Sequence, residues 1–181
     1  MLRTRVGYAG GTTQNPTYGS LGDHSETIQI EYDPAVISYS ALLDVFWGSH
    51  RPTRPAWSRQ YASAVFYHNE EQKRLALEGK VRHEANLGQK IYTDIAPFTG
   101  FHLAEDYHQK HQLRRVPELE RELRAIYPEL GDFVGSTAVT RVNGYLGGYG
   151  TLERLQTEIE DLGLSVAGRK LLLDVVAASR R

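Results

Sequence analysis

The stretch TIQIEYDPAVISYSALLDVF, from Thr27 to Phe46, changes its hydrophobic period within a few residues. Ile28, Ile30 and Tyr32 alternate with Thr27, Gln29 and Glu31, the period-two pattern of a half-buried strand. Ser38 then stands where a helix cap belongs, and Leu42, Leu43 and Phe46 fall on one face of a helix running to Phe46. A strand and a helix this close, each with one apolar side, have to bury those sides against neighbours. The same alternation recurs along the chain. Thr4–Gly11 reads as a strand ending in a Gly-rich turn, and Tyr61–His68 as a strand rich in β-branched and aromatic residues. A charged helix follows over Asn69–Asn86, with Asn69 as its cap, then a strand over Lys90–Phe98 that stops at Pro97, then a helix over Ala104–Arg115. The order β-loop-β-α-β-α-β-α predicts an α+β fold with helices packed on one mainly antiparallel sheet.

Composition changes in the last third. PELERELRAIYPEL and TLERLQTEIEDLGL are charged and amphipathic, and predict surface helices packed through Leu, Ile and Tyr stripes. GSTAVTRVNGYLGGYG, with five glycines, lies between them. At 181 residues and 40% apolar residues the chain can build a real core. The net charge of −1, without long basic or acidic runs, argues against nucleic-acid or membrane-surface partners. No stretch reaches the length of a membrane span and no apolar signal core follows Met1, so the cytoplasm is the default location. Cysteine is absent, which removes disulfides, thiolate metal sites and thiol chemistry from this sequence.

Chemistry concentrates in NPTYGSLGDHSE, Asn15 to Glu26. A Tyr hydroxyl and a Glu carboxyl on one rigid loop can together hold a polar oxygen, and a partly buried Glu can serve as an acid near neutral pH. The alternative is that Asn15, Pro16, Thr17 and Gly22 only make turns while Asp23 and His24 are solvated. His108 and His111, three apart on the expected helix, have one spacing used for metals, but no third ligand is fixed by spacing. A capping or buried hydrogen-bonding role for Asp106 and His108 competes with it, and we expect no metal. VNGYLGGYG resembles a phosphate loop in its glycines but lacks the following Lys, so nucleotide binding is discounted. Trp47 and Trp57 flank the Pro- and Arg-rich loop SHRPTRPAWSRQY and suit either a pocket wall or core filling.

The motifs VGYAGG, NPTY, GDHSE, EYDPAVISYSALLDVFW, RQYASAVFYHNEEQ and AEDYHQKH resemble, in this order, the A-type peptide methionine sulfoxide reductases. The match covers roughly Arg5 to His111, and the remainder is similar to an atypical branch with a C-terminal helical extension. The resemblance implies a ferredoxin-like two-layer α/β sandwich, residues 1–112 forming an MsrA-like catalytic domain and 113–181 a helical extension packed on it. It implies reduction of the S epimer of methionine sulfoxide, free or in proteins. That reaction repairs oxidised methionine, with no bound cofactor and with electrons from thioredoxin or another thiol. By motif, Tyr18 and Glu26 hold the sulfoxide oxygen and Tyr61 is the second phenol. Glu26, kept protonated, would donate a proton while the phenols stabilise charge on oxygen. Tyr145, Trp57, Asp106 and His108 are assigned to substrate binding.

Three departures accompany the resemblance. The family's nucleophilic Cys lies in a GCFWG motif ahead of VGYAGG, and Met1 stands only a few residues before VGYAGG, so the expectation is that the first strand, first helix and nucleophile are missing. VFWGSH at Val45–His50 falls in an ordinary helix position and supplies no nucleophile. RPTRPAWSRQY shortens the segment that carries a pocket Asp, and Leu146 stands where a resolving Cys is found, beside Tyr145. Two functions follow: a reductase inactive as this Cys-free chain, or a non-catalytic module that keeps the sulfoxide pocket. The first predicts that Ile28 or Ile30 is unusually exposed beside an uncovered sheet edge.

Overall fold

A computed structural model describes residues 2–179. In chain order the elements are β1 (Arg3–Ala9), β2 (Ser25–Glu31), α1 (Tyr39–Gly48), β3 (Ala64–Tyr67), α2 (Glu70–Leu87), β4 (Asp94–Pro97), β5 (Phe101–Leu103), α3 (His111–Arg114), α4 (Pro117–Ile126), α5 (Leu130–Gly135), α6 (Thr137–Leu146), α7 (Leu152–Glu158) and α8 (Val166–Ala178). The strands form two sheets, one in the order β2-β1-β5 and one pairing β3 with β4. β1 and β5 run antiparallel with Tyr8 opposite His102, whereas β3 and β4 run parallel with Val65 opposite Ile95. The expectation of a single, mainly antiparallel sheet is therefore corrected. The crossover through α2 is long enough to return the chain in the same direction, which a helix-linked strand pair requires.

The chain divides into two compact units. One comprises Val6–Ile28 and Tyr32–Glu105. Its main core gathers Leu43 and Trp47 of α1, Val65 of β3, Ala76 of α2 and Ile91. The caps read from sequence are made: Ser38 accepts from the Ala41 amide at 3.1 Å and Asn69 from the Gln72 amide at 2.9 Å. A smaller cluster of Tyr8, Leu21 and Ala104 fixes the end of β1. On β2, Ser25 is buried while Glu26 and Ile28 are exposed, Ile28 at 55%.

The other unit comprises Met1–Arg5, Gln29–Glu31 and Asp106–Arg181. Its core is built from Leu119 and Leu123 of α4, Phe133, Val139 and Val142 of α6, Leu155, and Leu172 and Val176 of α8. The expected helix over Ala104–Arg115 is broken. Asp106–His108 is a single 3₁₀ turn, and α3 starts only at His111, because Lys110 sits in the left-handed region at φ 52°. Lys110 is buried, and its ammonium donates to the Thr4 carbonyl at 2.7 Å and the Thr140 hydroxyl at 2.7 Å. GSTAVTRVNGYLGGYG, read as a Gly-rich interval, contains a full helix, α6, capped by Ser136, and its glycines gather at the C-terminal end.

Candidate active site

The site grows from the loop between β1 and β2, and most of that loop's polar residues hold the backbone. The Asp23 carboxylate accepts from the amides and hydroxyls of both Thr12 and Thr13 at 2.8–3.0 Å. Those donors hold its carboxyl well below the usual carboxylate range. Gly22, at φ 63°, precedes it, and a Cβ there would overlap the Thr13 hydroxyl that Asp23 uses. The buried His24 ring accepts the Gly11 amide at Nδ1, 3.1 Å, which leaves Nε2 protonated to donate to the Thr13 carbonyl at 2.9 Å. The alternative in which Asp23 and His24 are merely solvated is corrected for both.

Further contacts aim the chemically useful groups. Glu105 accepts the Tyr8 hydroxyl at 2.6 Å and the Tyr18 amide at 3.0 Å, so the buried Tyr8 and the turn that carries Tyr18 share one carboxylate. The Thr17–Ser20 bridge closes that turn and leaves the Tyr18 ring half exposed. Arg59 donates to the Asp94 carboxylate at 3.0 Å and to the Asp23 carbonyl at 3.3 Å, while its own carbonyl accepts the Ser25 hydroxyl at 2.7 Å. The 3₁₀ turn Arg59–Tyr61 is thereby fastened beside the start of β2. This corrects the expected strand start at Tyr61: β3 begins at Ala64, and Tyr61 sits in the turn.

Tyr18, Glu26 and Tyr61 come together as a result. Gln60 donates from Nε2 to Glu26 Oε1 at 2.7 Å. Desolvation first, then the neighbouring Tyr18 phenol and Glu26 carboxylate and a hydrogen bond with Tyr18, push the Tyr61 phenol above its ordinary pKa of 10. Tyr61 therefore keeps its proton and remains a donor across the neutral range. The Trp57 ring, 83% exposed, lies against Tyr61 with centroids 5.0 Å apart. The arrangement offers two phenols and a carboxyl to one small polar oxygen, and an aromatic wall to the apolar groups attached to it.

The other assigned residues, Asp106, His108 and Tyr145, lie in the C-terminal unit, where the Asp106 carboxylate and the Tyr145 hydroxyl have structural partners. Asp106 receives Arg114 at 2.8 Å and Arg124 at 2.7 Å, which outweigh its desolvation and lower its pKa. The His108 ring packs on Tyr107. Tyr145 is buried and donates to Glu158 Oε1 at 2.7 Å; desolvation and that bond push its phenol up to about 12. Among the described residues no group of three or more His, Asp or Glu side chains gathers as a metal site. Two residues of the site, Gln60 and Glu105, were not singled out from sequence. Each sits inside a quoted motif, RQY and AEDYHQKH, but neither spacing reveals its partner across 34 and 87 residues.

The fold is α+β, and on its surface two phenols and a carboxyl, those of Tyr18, Tyr61 and Glu26, come together. The family model described as peptide methionine sulfoxide reductase matches residues 1–133. A peptide methionine sulfoxide reductase of Drosophila melanogaster is 43% identical over 173 residues, covering 94% of this chain and 69% of the relative. Peptide methionine sulfoxide reductase A5 of Arabidopsis thaliana is 40% identical, covering 80% of this chain and 59% of the relative. Among solved structures, reduced Mxr1 of Saccharomyces cerevisiae is similar with a TM-score of 0.57 at 31% identity, covering 64% of this chain and 71% of that one. Methionine sulfoxide reductase A of Corynebacterium diphtheriae gives 0.56 at 31%, covering 63% of each. The chain belongs to the peptide methionine sulfoxide reductase family, and it spans 59–69% of the lengths of the fly and Arabidopsis relatives.

Proposed function

We propose that this chain supplies the oxygen-binding side of a peptide-methionine (S)-S-oxide reductase site. The observation that carries the reading is the convergence of Tyr18, Glu26 and Tyr61 in a chain of this family. A sulfoxide places partial negative charge on oxygen and an electrophilic sulfur beside it. The Tyr18 and Tyr61 hydroxyls donate to that oxygen, and Glu26, held toward it by Gln60, delivers a proton as the S–O bond breaks. Trp57 and Tyr61 shield the methyl group. In the balanced step a thiolate attacks the sulfoxide sulfur and forms an S–S bond, and the protonated oxygen departs as hydroxide. Hydroxide then attacks the thiolate-derived sulfur, breaking the S–S bond to release the thioether and leave a sulfenic acid. A second thiol, such as one of thioredoxin, then condenses with the sulfenic acid and releases water.

The sequence has no cysteine, so the thiolate has to come from outside these 181 residues. That observation favours a second reading, a module that binds the sulfoxide without reducing it. One experiment tests both. The chain is titrated with S and R epimers of N-acetylmethionine sulfoxide amide and with the thioether, read by tryptophan fluorescence with Trp47→Phe to isolate the Trp57 signal. It is then joined behind a GCFWG-bearing segment and assayed for turnover. Selective S-sulfoxide binding that weakens in Glu26→Gln supports the site, and equal binding of the thioether removes it. Turnover that appears only with the added segment supports the reductase; binding with no turnover in the joined protein supports the binding module.

A further inference from the structure

A hollow of about 350 Å³ lies next to the site and is used by nothing described above. Arg54, Pro55, Ala56, Ser58, Arg59, Ala62, Ser63 and Tyr92 line it, and these interleave in sequence with the site residues Trp57, Gln60 and Tyr61. Its frame is fixed by the backbone. The Tyr92 amide donates to the Pro52 carbonyl at 2.8 Å, and the Asp94 amide to the Ser63 carbonyl at 3.0 Å. Its electrostatics are one-sided. Arg59 is neutralised by Asp94, but Arg54 has no ion pair among the described residues. The Lys90 ammonium stands over the Tyr92 ring at 5.2 Å. The Ser58 hydroxyl is buried with no hydrogen-bond partner, and a buried hydroxyl left without one costs free energy that a ligand could recover.

An unpaired guanidinium and an unused hydroxyl among the lining residues, with a second cation over the Tyr92 ring that also lines the hollow, match a carboxylate. We propose that this hollow takes the side-chain carboxylate of an Asp or Glu adjoining methionine sulfoxide in a peptide substrate. The proposal rests on the reading of Tyr18, Glu26 and Tyr61 as the sulfoxide site. It sets a preference that the oxygen-binding groups cannot, since they contact only the oxidised side chain. Adjacent residues of an extended peptide are about 3.3–3.6 Å apart per residue, within reach of a pocket whose walls flank Trp57 and Tyr61.

The test uses the whole chain at low ionic strength. The probes are Ac-Ala-MetO-Ala-amide and its analogues with Asp or Asn before or after the S-sulfoxide, with the matching thioethers, read by calorimetry and Trp fluorescence. The proteins are wild type, Arg54→Gln and Ser58→Ala, each checked for folding by circular dichroism. One of the two Asp sulfoxide peptides is expected to bind about three- to fivefold more tightly than its Asn counterpart, as for a rim ion pair with an added hydrogen bond. Arg54→Gln is expected to abolish that difference and leave the Ala peptide unchanged, and added salt is expected to shrink it. Equal binding of Asp and Asn sulfoxide peptides, or a preference that survives Arg54→Gln, overturns the hollow's role and leaves the sulfoxide site intact. An Arg54-dependent preference that is the same for oxidised and thioether peptides keeps the hollow and removes the sulfoxide reading. Binding of none of the peptides overturns both.

Discussion

Replacing Lys110 with Met should give a stability difference that depends on pH in one direction only. Lys110 is buried, and its three hydrogen-bond acceptors, the Thr4 carbonyl, the Thr4 hydroxyl and the Thr140 hydroxyl, are all uncharged. Burial pushes its ammonium down to about 8 from the ordinary 10.5. Below pH 8 both folded and unfolded chains carry the proton, and the folded state bears the full cost of burying it. Between pH 8 and 10.5 the unfolded chain holds more protons than the folded one, so stability rises with pH; above 10.5 the cost is gone. The gap between the two values corresponds to about 3 kcal/mol. Met has a similar length and no charge, and it keeps the same backbone demand at φ 52°. Urea unfolding of both proteins at intervals from pH 7 to 10.5 cancels every other titrating group in the difference. Wild type is expected to gain roughly 3 kcal/mol on Lys110→Met across that range. A difference that stays flat refutes the argument, because it means that Lys110 reaches water or a charge in the folded protein.

Glu105→Gln leaves one acceptor oxygen where the Tyr8 hydroxyl and the Tyr18 amide now use two. Thermal and urea unfolding should show a loss of about 1–3 kcal/mol, with a several-fold weaker S-sulfoxide affinity; unchanged affinity would mean that Tyr18 is positioned by its own turn. Asp23→Asn should speed amide hydrogen exchange at Thr12 and Thr13, whose N–H groups Asp23 receives. Because the folded carboxyl is held below the ordinary 3.8, the stability it contributes is present above about pH 4 and is lost as pH falls. The Asn variant should lack that acid limb, and an identical acid-unfolding profile in both proteins would refute the assignment.

How far the sequence could be read follows from the range of the forces involved. Ser38 and Asn69 cap the helices that their positions predict, because an N-cap hydrogen bond spans three residues. The break at Lys110 was hidden, since a buried ammonium bonded to Thr4 is a contact across 106 residues and the local pattern HQKHQLRR still reads as helix. α6 was hidden for the opposite reason. Its glycines draw the eye toward loop, while Val139, Val142 and Tyr145 recur at helical spacing beneath them and are buried. The pairing of β3 with β4 in parallel is a property of the crossover through α2 and has no local signature. At the candidate site, motif resemblance singles out Tyr18, Glu26 and Tyr61, but Gln60 and Glu105, which bond to Glu26 and to the Tyr18 amide, act through pairings that spacing does not encode.

The segment GDHSE shows how one short run serves two purposes. Up to His24 the chain is still loop, and its polar side chains turn inward to supply hydrogen bonds that the curved backbone cannot make with itself: Asp23 to Thr12 and Thr13, His24 to Gly11 and Thr13. At Ser25 the chain becomes strand, and from there the period of two decides. Ser25 points in and fastens the Arg59 carbonyl; Glu26 points out, toward Gln60 and the Tyr61 phenol; Ile28, two residues on, shares its face and is exposed. A carboxyl at position 25 would be buried against a carbonyl, and one at position 27 would face away from the phenols. The loop's length therefore matters as much as its composition. Shortening it by one residue would, once the strand slipped to follow, bring Glu26 to the inward position of Ser25 and Thr27 to the position of Glu26, exchanging the two faces of the strand and removing the carboxyl from the phenols.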